Sequence, residues 1–370
     1  MRKRQKQNSA VGFTMIELMV SLALGLIVMA AMATLFKTGM QSAILVTQRA
    51  ETQQNMRAAV DLMVKDITMA GAGLPTGGIQ LPTGTGNLGL SKFGCDLTGT
   101  CHVVNNTYPT GNQMYGIIPG YLNGVEGGST ISAAPSAVND SVTVIYADYN
   151  FPLWEYNVTF ASSTSGTNVN LAPNSAYSPA PPAITSGGGI NVGDLIMISG
   201  GGLTAVGEVY CGSPTATSCL TSTAMEFAGS DPLNINQNAA ASGNLKAIAA
   251  LEGTSTAVTA YRLFAVTYYL TVPSAAGQTP RLMRQVNGLT PVPVADDIIN
   301  LQFTFDVFNS STNVLDSNEP NPIGESESPN LIQKVNLVAM GQSILNQGNS
   351  QNMYLATDVN AGNMTFRQRY

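Results

Sequence analysis

Few residues in this chain have the type and spacing for chemistry. Four cysteines fall in two close pairs, Cys95/Cys101 and Cys211/Cys219, and a single histidine, His102, serves all 370 residues. Five and seven residues separate the paired cysteines, and without a histidine cluster those spacings fit a zinc site poorly. Asp316, Glu319, Glu325 and Glu327 gather in one polar stretch of the kind that binds calcium through carboxylates. They lack EF-hand spacing and read as a solvated acidic loop. Gly84-Thr85-Gly86-Asn87-Leu88-Gly89 has the G-x-G-x-x-G pattern, but the pattern of a strand before it and a helix after it is missing, which argues against a dinucleotide site. Histidine pairs and triads are excluded by the count. No Walker A string, zincin motif or G-x-S-x-G elbow is present. The expectation is a non-enzymatic protein with no catalytic residue, no cofactor and no metal, in which His102 sits in a surface loop.

One lone carboxylate has a different character. Glu17 directly precedes Leu18–Phe36, 19 residues without a charge and with only Ser21 and Thr34 as hydroxyls. At about 1.5 Å per residue such a helix is roughly 28 Å long, close to the ~30 Å hydrocarbon core of a bilayer. A secretory signal has a shorter apolar region ending at a small-residue cleavage site, so a membrane span is the better reading. A carboxylate inside a span costs about 2.5–3.5 kcal/mol near its centre. Glu17 is therefore either tolerated at the interface or held there for a cationic partner.

Charge placement gives the orientation. Arg2, Lys3, Arg4 and Lys6 crowd the first six residues, whereas from Asp66 onward 8 basic residues face 19 acidic ones. By the positive-inside rule the N-terminus stays cytoplasmic and the bulk lies on the far side of the membrane. On that side thiols tend to be oxidised, which makes Cys95–Cys101 and Cys211–Cys219 two local disulfides. The basic surplus that steers a protein toward phosphate is missing from this body, so no nucleic-acid partner is expected.

The elements that carry these residues follow from periodicity. No proline occurs between Phe13 and Pro75, and Met56, Val60, Met63, Ile67 and Ala70 recur at steps of four and three. That is the stripe of an amphipathic helix, closed by Gly71, Gly73 and Pro75. One helix of nearly sixty residues is predicted, apolar all round in its first half and one-sided in its second. Residues 74–135 are rich in Gly, Thr, Asn and Pro and read as irregular. Strands are predicted at Ser141–Tyr149, Trp154–Phe160, Asp194–Ser199, Ala205–Tyr210, Ala257–Val272, Leu282–Val286, Ile298–Phe308 and Val335–Ile344. Ala161–Gly189 reads as a low-complexity connector, and a short helix is expected at Leu245–Leu251. The fold class is α+β, one long N-terminal helix packed on a mainly antiparallel β-sheet head with long loops.

The junction Gly12-Phe13-Thr14-Met15-Ile16-Glu17-Leu18 resembles the prepilin leader of type IV pilins and type II secretion pseudopilins. The resemblance implies cleavage after Gly12, N-methylation of Phe13 as the mature N-terminus, and pairing of Glu17 with the amine of a neighbouring subunit during assembly. It also implies a pilin-like organisation. Residues 1–12 would be a cytoplasmic leader and 13–71 the long helix, with its transmembrane segment at about 13–36. An irregular insertion at 72–140 and a β-rich head at 141–370 would follow. Further along, Tyr268-Tyr269, then Leu282-Met283-Arg284, then Asp297-Ile298-Ile299-Asn300-Leu301-Gln302 follow one another as in the PilW-like minor pilins, and Gly193-Asp194 resembles that family's hairpin. This second resemblance implies a minor pilin that helps initiate pilus assembly and sits at or near the filament tip. Its partners would be other minor pilins, the major pilin, the prepilin peptidase/N-methyltransferase and the inner-membrane assembly platform. It would wait as a single-pass inner-membrane protein with a periplasmic head before joining a surface pilus. The alternatives are a J-type pseudopilin of type II secretion and a tip-located adhesin or ligand-binding module.

Overall fold

The computed structural model describes residues 12–82, 90–109, 113–131, 139–181, 184, 189–213, 219–221, 223–236, 245–254, 256–273, 278–324, 327–344 and 350–365. The leader before Gly12, the glycine pattern at 84–89 and Glu325 lie outside the described residues. Contacts divide the chain into two compact units, one holding residues up to Glu51 together with 343–351, the other the remainder.

The first unit is built on the long helix α1 (Met15–Met69), which passes into the second unit at Thr52. Its side chains through Met40 are exposed, as befits a segment with an apolar surface on every side. Its hydroxyls are satisfied within the helix: Ser21 donates to the Leu18 carbonyl at 3.0 Å and Thr34 to that of Ala31 at 2.8 Å.

Among the described residues the second unit contains the rest of α1, the strands (the last two without their residues in 343–351) and several short helical turns. In chain order the strands begin with β1 (Ile79–Gln80), β2 (Gln113–Met114), β3 (Ile117–Gly120), β4 (Ser141–Ala147), β5 (Tyr156–Ser162), β6 (Ser165–Pro173), β7 (Leu195–Gly200), β8 (Leu203–Glu208) and β9 (Ala224–Glu226). Helix α2 (Leu245–Ala249) precedes β10 (Val258–Thr271), β11 (Arg281–Val286), β12 (Val292–Asp296), β13 (Ile298–Asn309), β14 (Val314–Glu319), β15 (Ile332–Ile344) and β16 (Ser350–Asn360), and α3 (Gly362–Thr365) closes the described chain. Strands β12-β11-β10-β4-β3 lie side by side, and the first half of β10 pairs with β7, which pairs with β8. A four-stranded sheet runs β14-β13-β15-β16, a three-stranded one β5-β6-β9, and β1 pairs with β2. Every pairing with a described register is antiparallel between these strands. A long helix followed by a mainly antiparallel sheet head is the α+β class expected from periodicity.

The apolar stripe of α1 explains the packing. Met56, Val60, Met63, Ile67 and Ala70 are buried against Val142 and Val144 of β4, Val266, Tyr268 and Leu270 of β10, Phe303 and Phe305 of β13, and Val335 and Leu337 of β15. The helix thus joins the two larger sheets through one core. The opposite face of the seven-stranded sheet is covered by Leu74, Ile79, Leu81, Phe93, Val103 and Met114, so the stretch expected to be irregular supplies β1 to β3 and a second apolar layer. With both faces covered, β4 is buried along nearly its whole length. A third core lies between β5, β6, β9, α2 and the β7–β8 hairpin.

The end of α1 is set by two glycines in the left-handed region, Gly71 at φ 75° and Gly73 at φ 73°. A Cβ on Gly73 would come within 2.6 Å of Ala147 and of Tyr149, so the chain could not turn here with a larger residue. The Gly71 amide donates to the Ile145 carbonyl at 2.8 Å and ties the helix end to β4.

All eight predicted strands are present. Part of Ala161–Gly189 is strand β6 rather than connector, because Val169 and Leu171 alone point inward among Ser, Thr and Asn and give too weak an alternation to read. The acidic stretch is also corrected. Asp316 and Glu319 lie on strand β14 rather than in a loop, and Asn309 donates its amide to Asp316 at 2.8 Å and to Glu327 at 3.0 Å.

Candidate functional site

Gly12, Phe13 and Thr14 precede the helix, with Phe13 84% exposed. Among the described residues nothing lies within 4 Å of a Cβ built on Gly12. Thr14 is the N-cap and Glu17 the third helical residue, and they form a reciprocal capping box. The Thr14 amide and hydroxyl donate to Glu17 Oε2 at 3.0 and 3.1 Å, and the Glu17 amide donates to Thr14 Oγ1 at 3.3 Å. Glu17 is thus exposed, and its carboxylate also closes the first turn. Threonine three residues before the glutamate is the signal that identifies the box, and the reading of Glu17 by charge alone passes over it.

The second constellation lies where α1 meets the sheets. Asp66 is buried on the helix beside Ile67 and accepts three hydrogen bonds: from Tyr146 of β4 at 3.0 Å, Tyr268 of β10 at 2.6 Å and Arg284 Nε of β11 at 2.9 Å. Three neighbouring strands thereby meet one carboxylate. Burial and the negative charge of Asp66 hold both tyrosine hydroxyls well above their ordinary titration range. Tyr268 and Arg284 belong to the Tyr-Tyr and L-x-R strings, so the geometry gives those strings a physical role. Asp66 itself was missed by sequence reasoning, although an acid three residues after Met63 falls on the buried face.

Both cysteine pairs are joined, with sulfur separations of 2.08 Å for Cys95–Cys101 and 2.00 Å for Cys211–Cys219. His102 is not a surface loop residue. Only 9% exposed, it stacks on Tyr269 at 5.6 Å, its Nδ1 lies 2.6 Å from Glu126 and its Nε2 3.4 Å from Asp96. The neighbouring disulfide loop carries Asp96 into contact, which composition could not reveal. Burial raises the Asp96 carboxyl, but hydrogen bonds from Thr98 and Thr100 outweigh it and lower its pKa. Among the described residues no cluster of three His, Cys, Asp or Glu side chains is arranged to hold a metal ion.

Residues 12–33 match the family described as the prokaryotic N-terminal methylation motif. No curated protein and no solved structure matches the chain. The matched segment opens the one helix, among the described residues, that is long and apolar enough to cross a membrane. Gly12, Phe13 and Glu17 fall inside the match, and such a motif implies processing by a prepilin peptidase. The chain carries a type IV pilin-like or pseudopilin processing signal at the head of a membrane-anchoring helix.

Proposed function

We propose that this chain is a minor pilin of the PilW-like type, a non-catalytic subunit that helps initiate type IV pilus assembly and sits at or near the filament tip. The observation that carries the reading is the Gly12–Phe13 junction with Glu17 at the start of an apolar helix. Cleavage after Gly12 releases residues 1–12 and frees the Phe13 amine for N-methylation. Glu17 then offers a carboxylate to the amine of a neighbouring subunit, an ion pair that favours one register of insertion. Before assembly the subunit waits in the inner membrane with its head on the periplasmic side, and its partners are other minor pilins, the major pilin, the peptidase and the assembly platform.

Tip placement is favoured by the bulk of the head. About 300 residues follow the helix, and compact-domain scaling gives them a radius of gyration of roughly 19 Å. Shaft subunits stack their helices closely, and a head of that size repeated at every step would crowd its neighbours. Deleting the gene should reduce pilus number while the major subunit is still made and processed. Immunogold label spread evenly along the shaft at the level of the major pilin would refute tip placement. Loss of secretion with pili intact would assign the chain to a type II secretion machine instead.

A further inference from the structure

The four-stranded sheet has two edges of unlike construction. At one edge β14 is six residues long, its pairing with β13 shifts register between Phe305 and Val307, and it carries Asp316, Glu319 and Asn318 at φ 62°. Shortness, charge and a bulge are the devices that stop an edge from recruiting a foreign strand. At the other edge β16 is eleven residues long with no proline, no glycine and one charge, Asp358. Among the described residues its sheet partner is β15 alone.

The core beneath that edge is also incompletely covered. Val335 and Leu337 of β15 are fully buried, whereas Met353 and Leu355 of β16 pack on the same cluster but are only half-buried. On the outer face Tyr354 is 68% exposed, more than any other large apolar side chain described in the second unit. A row of backbone donors and acceptors beside a half-covered apolar strip has one natural complement, another extended backbone.

We propose that the edge of β16, over residues 352–360, pairs with an extended segment of a different pilin-like subunit, which adds a fifth strand to the sheet. This rests on the tip-subunit reading, in which a rare chain meets unlike neighbours. The segment it fits is nearly uncharged and alternating. Its apolar side chains complete the cover over Met353 and Leu355, and an aromatic or β-branched residue lies beside Tyr354. Asp358 already faces Lys334 at 3.5 Å, so a basic residue opposite it is not required.

The test uses the full chain at native expression, with a photo-crosslinking amino acid placed at position 352, 354 or 356, and at 314 on β14 as a control. The expected result is adducts from all three β16 positions to one other subunit, stepping by two residues along a single segment, and none from 314. Tyr354→Lys should lower adduct yield roughly fivefold while leaving the mature N-terminus and membrane insertion unchanged. Adducts to residues 366–370 of the same chain, to a second copy, or from no β16 position in filament-incorporated protein would overturn the proposal. Stepped adducts to a membrane subunit in a chain that never enters filaments would keep the strand pairing and remove the tip-subunit reading. Absence of both would remove both.

Discussion

Asp66 and Arg284 lie 218 positions apart in sequence, and they meet at 2.9 Å. The same carboxylate oxygen accepts the Tyr268 hydroxyl, so one helix side chain fixes how α1 is rotated on β10 and β11. Apolar contacts alone would allow the stripe to slide by a turn with little penalty. A buried charge with matched donors does not.

Asp66→Ala should therefore destabilise the head by about 3–5 kcal/mol, because it leaves a guanidinium and two hydroxyls partly buried without their acceptor. The double variant Asp66→Leu/Arg284→Leu should be less damaged than Asp66→Ala. Thermal denaturation of the single and double variants measures the difference, and equal losses would show that the pair has no special role.

Processing and assembly separate at the N-terminus. Gly12→Leu should leave uncut precursor in the membrane with the head folded, since no described neighbour crowds position 12. Mass spectrometry of the N-terminus distinguishes intact Met1 from methylated Phe13.

Thr14 and Glu17 share the capping box but should differ in assembly. Thr14→Ala loses a cap worth about 1 kcal/mol and should still enter filaments. Glu17→Ala should insert in the membrane normally and fail to enter them, because the neighbouring amine loses its counter-charge. Equal incorporation of the two variants, scored in purified filaments, would show Glu17 to be only a cap.

A pH effect is expected at a second buried carboxylate pair. Glu208 of β8 is fully buried and lies beside Asp231, whose carboxylate accepts the amides of Ile235 at 2.8 Å and Asn236 at 2.9 Å. Desolvation raises the pKa of both carboxyls, and the neighbouring negative charge of Asp231 raises Glu208 further, well above its ordinary value. The folded state thus holds a proton that the unfolded chain releases more readily. Stability from this pair is complete below the ordinary carboxylate pKa and falls as pH rises through the raised folded value. Glu208→Gln should flatten that slope in denaturant titrations from pH 5 to 9.

His102 should matter for the fold around the first disulfide. His102→Ala leaves Glu126 and Asp96 without their shared ring and should cost about 1–3 kcal/mol. Non-reducing peptide maps should still show Cys95–Cys101 and Cys211–Cys219, and crossed pairs would change the picture.

How much of this was legible depended on periodicity. The stripe Met56–Ala70 and the eight Val-, Ile- and Tyr-rich strands repeat strongly enough to read. Strands β6, β14 and β16 interleave apolar residues with Ser, Asn, Thr and Asp, so their pattern is one that tertiary pairing rather than propensity decides. Glu17 stood out because it is alone in an apolar field. Asp66 and Glu208 did not, because their partners are supplied by segments distant in sequence and nothing local marks a carboxylate as buried. His102 was legible as the one histidine, but its burial on Tyr269 was not.

The contacts of Asp66 also set an order of events during synthesis. Its partners lie 80, 202 and 218 residues downstream, and the Thr68 carbonyl waits for Asn363, 295 residues on. At about 5–20 residues per second, the stretch to Arg284 alone takes roughly 10–45 s to be made. For that interval the second half of α1 is tethered but has no sheet to cover Met56, Val60, Met63 and Ile67. A nascent chain in this state is exposed to misassociation at the membrane surface, and its head closes only when its last strands arrive.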